Sequence, residues 1–579
     1  MPADMRNGEI AEAFEELASL YELDGAVVYR VLAYRNAAKA IREAGVSVAE
    51  LSRQGRAAEL AGVGKTIAEK IEALLETGSI PSADKLKQRI PSGLIEVTRV
   101  PGLGPKRARA LHERLGVCSL DDLRRVAEDG SLEDVPGFGP KAQENVLVAL
   151  ADGDGAAKPR VLLSQALSVG EGLVESLSDH PAAIRVELAG SARRMTDTCK
   201  DLDVVAAAAD PGALVEAFCS LASIDVVHSS GEAGARAVTH SGLPVDLRIV
   251  PAENFGNLLQ HFTGSAKHNE SLRTDAVRRG LHVSEYGVAS DESGQTHACA
   301  DEQGVYELLG MDWIPPELRE DRGELEAARE QQLPELVSLA DIRGDLHSHT
   351  IASDGRNTVG EMAAAARERG YEYLAITDHS ATHGFGNDVP PDELRRQIER
   401  VARLNEELDG FRLLAGTETN ILPDGKPDYE DGLLAELDWV VASVHTSFRM
   451  SEKEMTGRML HALEHPLIDA IGHPTGRMLG RREGYAIDLE AVIEAAARTG
   501  TFLEINANPN RRDLPDHYAR LAAESGVPIV IDSDAHGADT LDKMRFGVAT
   551  ARRGWLTAAD VANTRSWPEL DRLRKRGRA

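Results

Sequence analysis

Tyr373-Leu374-Ala375-Ile376-Thr377-Asp378-His379 is an apolar run that ends on an acid and an imidazole. The same grammar recurs in Trp439-Val440-Val441-Ala442-Ser443-Val444-His445, in Ile468-Asp469-Ala470-Ile471-Gly472-His473 and in Ile529-Val530-Ile531-Asp532-Ser533-Asp534-Ala535-His536. An apolar run of this length, followed by a helical stretch, reads as a buried parallel strand. Side chains at the C-terminal ends of barrel strands converge on one mouth, so residues distant in sequence meet in one pocket. The predicted set is His347, His349, Asp354, His379, Glu418, His445, His473, Asp534 and His536. Neutral imidazoles mixed with carboxylates suit Zn, Mn or Fe. A lone histidine is more often a satisfied core or surface residue, which is the reading for His268, His383 and His465. Nine ligand-type residues sharing one grammar read as metal chemistry.

Composition frames the rest. A chain of 579 residues predicts roughly three to five domains. It holds no run of about 20 uninterrupted apolar residues and no signal-peptide pattern, so the expectation is a cytoplasmic protein without membrane contact. Cys118, Cys199, Cys219 and Cys299 lack metal spacing and read as reduced structural thiols. The net charge of −29 argues against a protein that coats nucleic acid nonspecifically, but leaves room for local basic faces.

The N-terminal half is helical and carries three similar phrases: Leu60-Ala61-Gly62-Val63-Gly64-Lys65, Val100-Pro101-Gly102-Leu103-Gly104-Pro105-Lys106 and Val135-Pro136-Gly137-Phe138-Gly139-Pro140-Lys141. Paired glycines permit a tight turn. The turn presents backbone N–H groups at a helix N-terminus, a phosphate site with Lys106 or Lys141 close by. One copy is equally well a plain helix–helix turn; three copies with one grammar favour binding to a nucleic-acid backbone. They resemble helix-hairpin-helix motifs, whose phosphate contacts carry no sequence information.

From about residue 158 the pattern turns to α/β. A short strand, Val186-Glu187-Leu188-Ala189, runs into Gly190-Ser191-Ala192-Arg193-Arg194 and then Asp201-Leu202-Asp203-Val204-Val205. Residues two apart on a strand share a face, so Asp201 and Asp203 do. Asp246, in a further strand over 245–250, supplies a third carboxylate. Three such acids suit a two-cation site, with ions about 3.5–4 Å apart clamping the attacking and leaving oxygens of phosphoryl transfer. Gly190 and Ser191 open a helix, which suits a triphosphate, and Arg194 adds charge there.

The phrase Gly190-Ser191-x-Arg193-Arg194…Asp201-Leu202-Asp203, followed by Asp246, resembles the palm of family X DNA polymerases, the group that contains DNA polymerase beta. Phe262-Thr263-Gly264-Ser265…Asn269…Arg273 resembles the nucleotide-contacting thumb segment of that family, and Tyr34-Arg35-Asn36-Ala37-Ala38 its small N-terminal domain. The C-terminal third resembles a PHP (polymerase and histidinol phosphatase) domain. The resemblance implies a multidomain α/β chain. Residues 1–85 would form a small helical domain with the first hairpin, 86–155 a fingers-like helical region with two more, and 156–255 the nucleotidyltransferase palm. The thumb would span 256–318, a linker 319–339, and a distorted PHP (β/α)7 barrel 340–579.

The same resemblance implies roles. Asp201, Asp203 and Asp246 would hold two Mg²⁺ or Mn²⁺ ions, with Asp246 also helping to activate the primer 3′-hydroxyl. Ser191 and Arg194 would contact the triphosphate of the incoming dNTP. Phe262 and Gly264 would lie beside its sugar, Asn269 would reach its base edge, and Arg273 the template strand. The family's Tyr-Phe-Thr-Gly reads His261-Phe262-Thr263-Gly264 here, which bears on rejection of ribonucleotides. Met195 and Lys200 stand where some members have glycine. Lys70 falls at the position of the lyase nucleophile, although a phosphate-contacting or solvated lysine fits it equally.

In the barrel, the family pattern implies one ion on His347, His349, Glu418 and Asp534. A second would sit on Glu418, His445 and His473, and a third on Asp354, His379 and His536, with Mn²⁺, Zn²⁺ or Fe²⁺ as occupants. Arg477 would be a phosphate ligand or a surface cation. The expected activity is gap-filling DNA synthesis by a monomer in base excision repair, on gapped or nicked DNA. It would be joined to 3′–5′ exonuclease or other 3′-end processing. Two other readings remain at this stage: a template-independent nucleotidyltransferase, and a DNA-binding scaffold with only a structural metal site.

Overall fold

The computed structural model describes residues 5–575 except 45, 61, 92, 101–102, 136–137, 140–142, 144–145, 148–149, 151–159 and 383–387. The side chains at 28, 43, 99, 106, 133 and 134 also fall outside the description. So do the predicted phosphate-turn residues Gly102, Gly137 and Lys141, the side chain of Lys106, and His383. The chain divides into two compact units. One holds 1–161, 165–188 and 200–252; the other holds 162–164, 189–199 and 253–579.

The first unit opens with helices Asn7–Leu23 and Val28–Glu43. Ile10, Phe14 and Leu17 recur at helical spacing and are fully buried. Tyr21 stacks on Tyr34 with ring centroids 5.4 Å apart. Asn7 is buried at the start of the first helix and is satisfied: its amide donates to Ala44 O and Val46 O, and its Oδ1 accepts from Val48 N–H. Helices Lys65–Thr77 and Pro105–Leu115 begin directly after Gly64 and Gly104. The residue between each glycine pair (Val63, Leu103, Phe138) is buried. Each hairpin is therefore pinned to the core by its middle residue.

The palm is a five-stranded mixed sheet in this unit. Its strands are β1 (Ala183–Leu188), β2 (Leu202–Ala208), β3 (Ile224–Gly231), β4 (Gly234–Thr239) and β5 (Pro244–Val250), in the order β1-β2-β5-β4-β3. Only β2 and β5 run parallel, and they place Asp203 opposite Asp246. Strand β2 is apolar and mostly buried, as a central strand must be.

The second unit begins with a thumb. Helices Phe255–Thr263, Ala266–Arg278 and Glu302–Leu308 pack with an antiparallel sheet of β6 (Leu281–Ser284), β7 (Gly287–Ser290) and β8 (Thr296–His297). The segment 319–339, the expected linker, holds two fully buried charged residues. Arg319 is fully buried, pairs with Glu302 and lies over the rings of Tyr306 and Trp313. Glu324 is fully buried against His268 at 2.6 Å. Arg319 and Glu302 are opposite charges buried together, and Glu324 is satisfied by His268.

Seven parallel strands follow: β9 (Gly344–Asp345), β10 (Tyr373–Ile376), β11 (Arg412–Asn420), β12 (Trp439–Ser443), β13 (Ala470–Ile471), β14 (Phe502–Asn506) and β15 (Ile529–Asp532). They pair in chain order. The two ends approach each other through a parallel bridge from Ser348 to Ala535, so the sheet is a nearly closed barrel. Alternation along each strand builds two cores. Tyr373, Ala375, Leu414, Trp439, Val441, Ala470, Phe502 and Val530 pack inside, against Trp567 and Leu570 from the C-terminal turn. Leu374, Ile376, Leu413, Val440, Leu503 and Ile529 pack outward against the helices.

Candidate functional site

Every strand but one ends on a predicted ligand, and the ends share one mouth. Glu418 is its centre. One oxygen, Oε1, lies 3.2 Å from His445 Nε2 and 3.1 Å from His473 Nε2. The other, Oε2, lies 2.7 Å from His379 Nδ1, 3.4 Å from His347 Nε2 and 3.7 Å from His349 Nε2. Asp534 Oδ1 stands 3.2 Å from His349 Nε2, and Asp354 Oδ2 stands 3.3 Å from His536 Nε2. Among the described residues, three groups bring ligand atoms within 4.8 Å of one another: His349, Asp354, His379 and His536; His347, His349 and Asp534; His379, Glu418 and His445. All nine predicted residues are therefore brought together. His349 and His379 each fall in two groups, a tighter sharing than the sequence pattern assigned.

The donors fit divalent cations. His349 Nδ1 and His473 Nδ1 are buried and make no hydrogen bond. A buried polar atom without a partner costs about 1–3 kcal/mol, and a coordinated ion would remove that cost. The carboxylates of the mouth draw positive charge to it. Burial opposes ionisation of Glu418, but His445, His347 and His379 hold its carboxyl well below the usual range. Burial also opposes the charged form of His347, yet Glu504, Glu418 and Asp534 carry it well above. Burial, then His536 and His379, push His349 down to about 4. Two of the predicted ligands, His473 and Asp534, hold left-handed backbone at φ +30° and +51°, the kind of strain that clusters at functional sites.

Sequence reading missed the sixth strand. Glu504 on β14 accepts from His347 Nδ1 at 2.6 Å and from the His473 backbone N–H at 2.5 Å. It fixes the tautomer and ring plane of one ligand and the loop of another. The available signal was a carboxylate inside the apolar run Phe502-Leu503-Glu504-Ile505. Arg477 is not a free phosphate ligand. Its guanidinium pairs with Asp197 at 3.0 Å and donates to the carbonyls of Arg511 and Arg512. Arg511, its side chain 19% exposed, is the cation beside the site, 3.9 Å from Asp534.

In the palm, Asp203 and Asp246 are register partners on parallel strands, so their side chains share a face; Asp201 directly precedes the strand. The Asp246 carboxylate is engaged by Arg248 at 3.0 Å and Arg236 at 3.2 Å. The palm acids are not among the three compact ligand groups of the described residues. Gly190 is buried at φ +60°, a conformation that favours glycine. Arg194 pairs with Glu320 and donates to Thr263 O, so it bolts the loop and does not stand as a free cation. Thr263 also accepts from Arg193, which forms a bidentate pair with Glu302. A Cβ on Gly264 would fall 2.4 Å from Asn269 Oδ1, so any side chain there would have to displace Asn269. Asn269 donates to His261 O and Gly264 O and thereby fixes that turn. Arg273 is exposed, Phe262 is partly buried, and Lys70 lies partly buried on its helix. Gly64, Gly104 and Gly139 have no atom within 4 Å of where a Cβ would stand, which leaves open room beside each turn. His268 is a satisfied core histidine between Glu324 and Tyr306, and His465 contacts Asp431.

These parts define a multidomain protein with a hairpin-bearing helical region, a polymerase-type palm and thumb, and a metal-dependent phosphoesterase barrel. Known families agree. A helix-hairpin-helix domain profile matches residues 5–80, a SAM-like helix-hairpin-helix tandem 94–152, the DNA polymerase beta thumb 258–320, and the PHP domain 345–508. The DNA polymerase/3′-5′ exonuclease PolX of Bacillus subtilis is 38% identical over 574 residues, covering 99% of this chain and all of its own. Probable phosphatases match the barrel part. One from Syntrophotalea carbinolica is 32% identical over 41% of this chain and 98% of its own, and one from Photobacterium profundum 31% over 40% and 94%. The chain belongs to the bacterial PolX family of family X DNA polymerases with a PHP domain. Enzymes of both kinds, polymerase and PHP, depend on metal ions.

Proposed function

We propose that the chain fills short gaps in DNA by template-directed synthesis at the palm and trims 3′ ends at the PHP mouth. The observation that carries this reading is the pairing, in one chain, of in-register Asp203 and Asp246 with nine converging ligand-type residues, Glu418 at their centre. Bound divalent cations would supply Lewis acidity toward phosphorus and absorb charge on the leaving oxygen at both places. Mg²⁺ or Mn²⁺ suits the carboxylates Asp201, Asp203 and Asp246; Mn²⁺, Zn²⁺ or Fe²⁺ suits the imidazole-rich mouth. For the palm to bind cations, Asp246 exchanges Arg236 and Arg248 for them.

The chain's own groups then orient and bind. Gly190 and Ser191 receive the triphosphate, with Arg194 as their anchor. Phe262 and Gly264 flank the sugar, Asn269 serves the base edge, and Arg273 reaches the template. Gly62, Gly64, Gly102, Gly104, Lys106, Gly137, Gly139 and Lys141 hold DNA phosphates, supported by the open room beside the turns. Lys70 as a lyase nucleophile is the weakest role, because its chemistry needs a pKa lowered by burial or neighbours. The working boundaries are 1–85, 86–155, 156–255, 256–318, 319–339 and 340–579, and the protein acts as a cytoplasmic monomer in base excision repair. No described helix is long and apolar enough to cross a membrane.

The test is a duplex with a one-nucleotide gap, incubated with the purified chain, with and without dNTPs, in Mg²⁺ and then Mn²⁺. Gap filling with dNTPs and 3′ shortening without them is the expected result. Extension that ignores the template base would instead favour a template-independent transferase. Binding without extension or shortening would favour a scaffold.

A further inference from the structure

The loop joining β1 to β2 belongs to the same compact unit as the thumb and barrel. It carries Gly190 and Ser191 and ends two residues before Asp201. The PHP barrel grips it with three arginines. Arg512 is fully buried; its Nη1 donates to Met195 O at 2.9 Å and stands 3.2 Å from Asp197 Oδ1. Its Nε donates to Thr550 Oγ1. Arg477 stands 3.0 Å from Asp197 Oδ2. Arg553 donates to Arg194 O at 2.8 Å while pairing with Glu320 and Asp516. A buried guanidinium that loses its carboxylate is left uncompensated, so this clamp is stiff. Met195 adopts φ +55°, a left-handed backbone that a side chain adopts only under constraint. The constraint is visible: Arg512 holds its carbonyl.

Arg477 also ties this clamp to the metal mouth. It lies four residues after His473, in a loop whose Thr475 N–H donates to the Asp513 carboxylate and whose His473 N–H donates to Glu504. Asp513 directly follows Arg512. One short stretch of barrel backbone thus orders a metal ligand and grips the palm loop.

We propose that Asp197, Arg477 and Arg512 are positioning residues for nucleotidyl transfer, through which the PHP barrel serves as scaffold for the dNTP-binding loop. This rests on the reading that Gly190 and Ser191 receive the triphosphate. Small misplacement of a binding loop weakens substrate binding and alignment without removing any reacting group.

The experiment uses the full chain on a one-nucleotide gap, with Asp197→Asn, Asp197→Glu, Arg477→Gln and the double variant Asp197→Asn/Arg477→Gln. Asp197→Asn and Arg477→Gln should each raise the dNTP KM about tenfold with kcat changed less than about threefold, the signature of lost binding rather than lost chemistry. Asp197→Glu should recover most of the affinity. The double variant should fall short of the sum of the two singles, since both changes break the shared Asp197–Arg477 pair. Asp197→Asn should leave 3′–5′ exonuclease activity unchanged. Variants that melt like wild type yet keep its KM would overturn the proposal, as would additive effects in the double variant. Should Asp197→Asn fail to fold, Arg477→Gln, which replaces a partly exposed side chain, decides alone. Wild-type protein that incorporates no nucleotide would overturn the underlying polymerase reading instead.

Discussion

Glu504 shows how a residue outside the ligand set governs it. Its carboxylate holds His347 Nδ1 and the His473 backbone. Glu504→Gln should therefore weaken metal binding at the mouth by about 10–100-fold, as loss of outer-shell partners does elsewhere. Titrating Mn²⁺ against exonuclease rate reads this; an unchanged half-saturating concentration would refute the role. Trp439 belongs to the inner barrel core and is fully buried. Trp439→Ala should cost about 3–5 kcal/mol of stability in denaturant unfolding. Individual residues were legible where their chemistry repeats, as with the nine ligands. They were not legible where the partner is distant in sequence: Arg477 reads as a phosphate ligand until Asp197, 280 positions earlier, is seen beside it.

At the scale of elements, apolar runs ending on histidine specified four of the seven barrel strands, β10, β12, β13 and β15. The outer and inner faces of those strands are both buried, so near-continuous Val, Leu and Ile was the expected signature. The burial of Arg319 and Glu324 was not legible, because a charged residue looks the same in sequence whether solvated or paired. Glu302 is the anchor there. Burial opposes its ionisation, but Arg319 and Arg193 hold its carboxyl at about 2, below the ordinary 4.5. A depressed carboxyl stabilises the fold above its unfolded value, and that stabilisation fades as pH falls from about 4.5 toward 2. Melting curves should show wild type losing stability across that window. Glu302→Gln should start lower at neutral pH and lose less on acidification, and parallel curves for the two proteins would contradict this. The hairpins make their own prediction. Gly104→Val would fill the open room beside the second turn. It should weaken gapped-DNA binding about tenfold, or about 1.4 kcal/mol, with a shallower salt dependence.

At the scale of the whole chain, the two candidate cation sites are built on different plans. The palm borrows carboxylates from adjacent strands, and the barrel gathers imidazoles from strand ends around one bridging glutamate. Full-length similarity to a polymerase/exonuclease and barrel-only similarity to phosphatases follow the same division. The palm loop's anchorage on barrel arginines was hidden from the sequence. It depends on where 189–199 packs, and no local pattern encodes that.

The most direct measurement compares two variants on one gapped duplex in Mn²⁺: Asp201→Ala with Asp203→Ala, and His347→Ala. The first should lose nucleotide addition and keep 3′ shortening, and the second should show the opposite. Loss of both activities in either variant, with the protein still folded, would contradict two separate centres of phosphoryl chemistry.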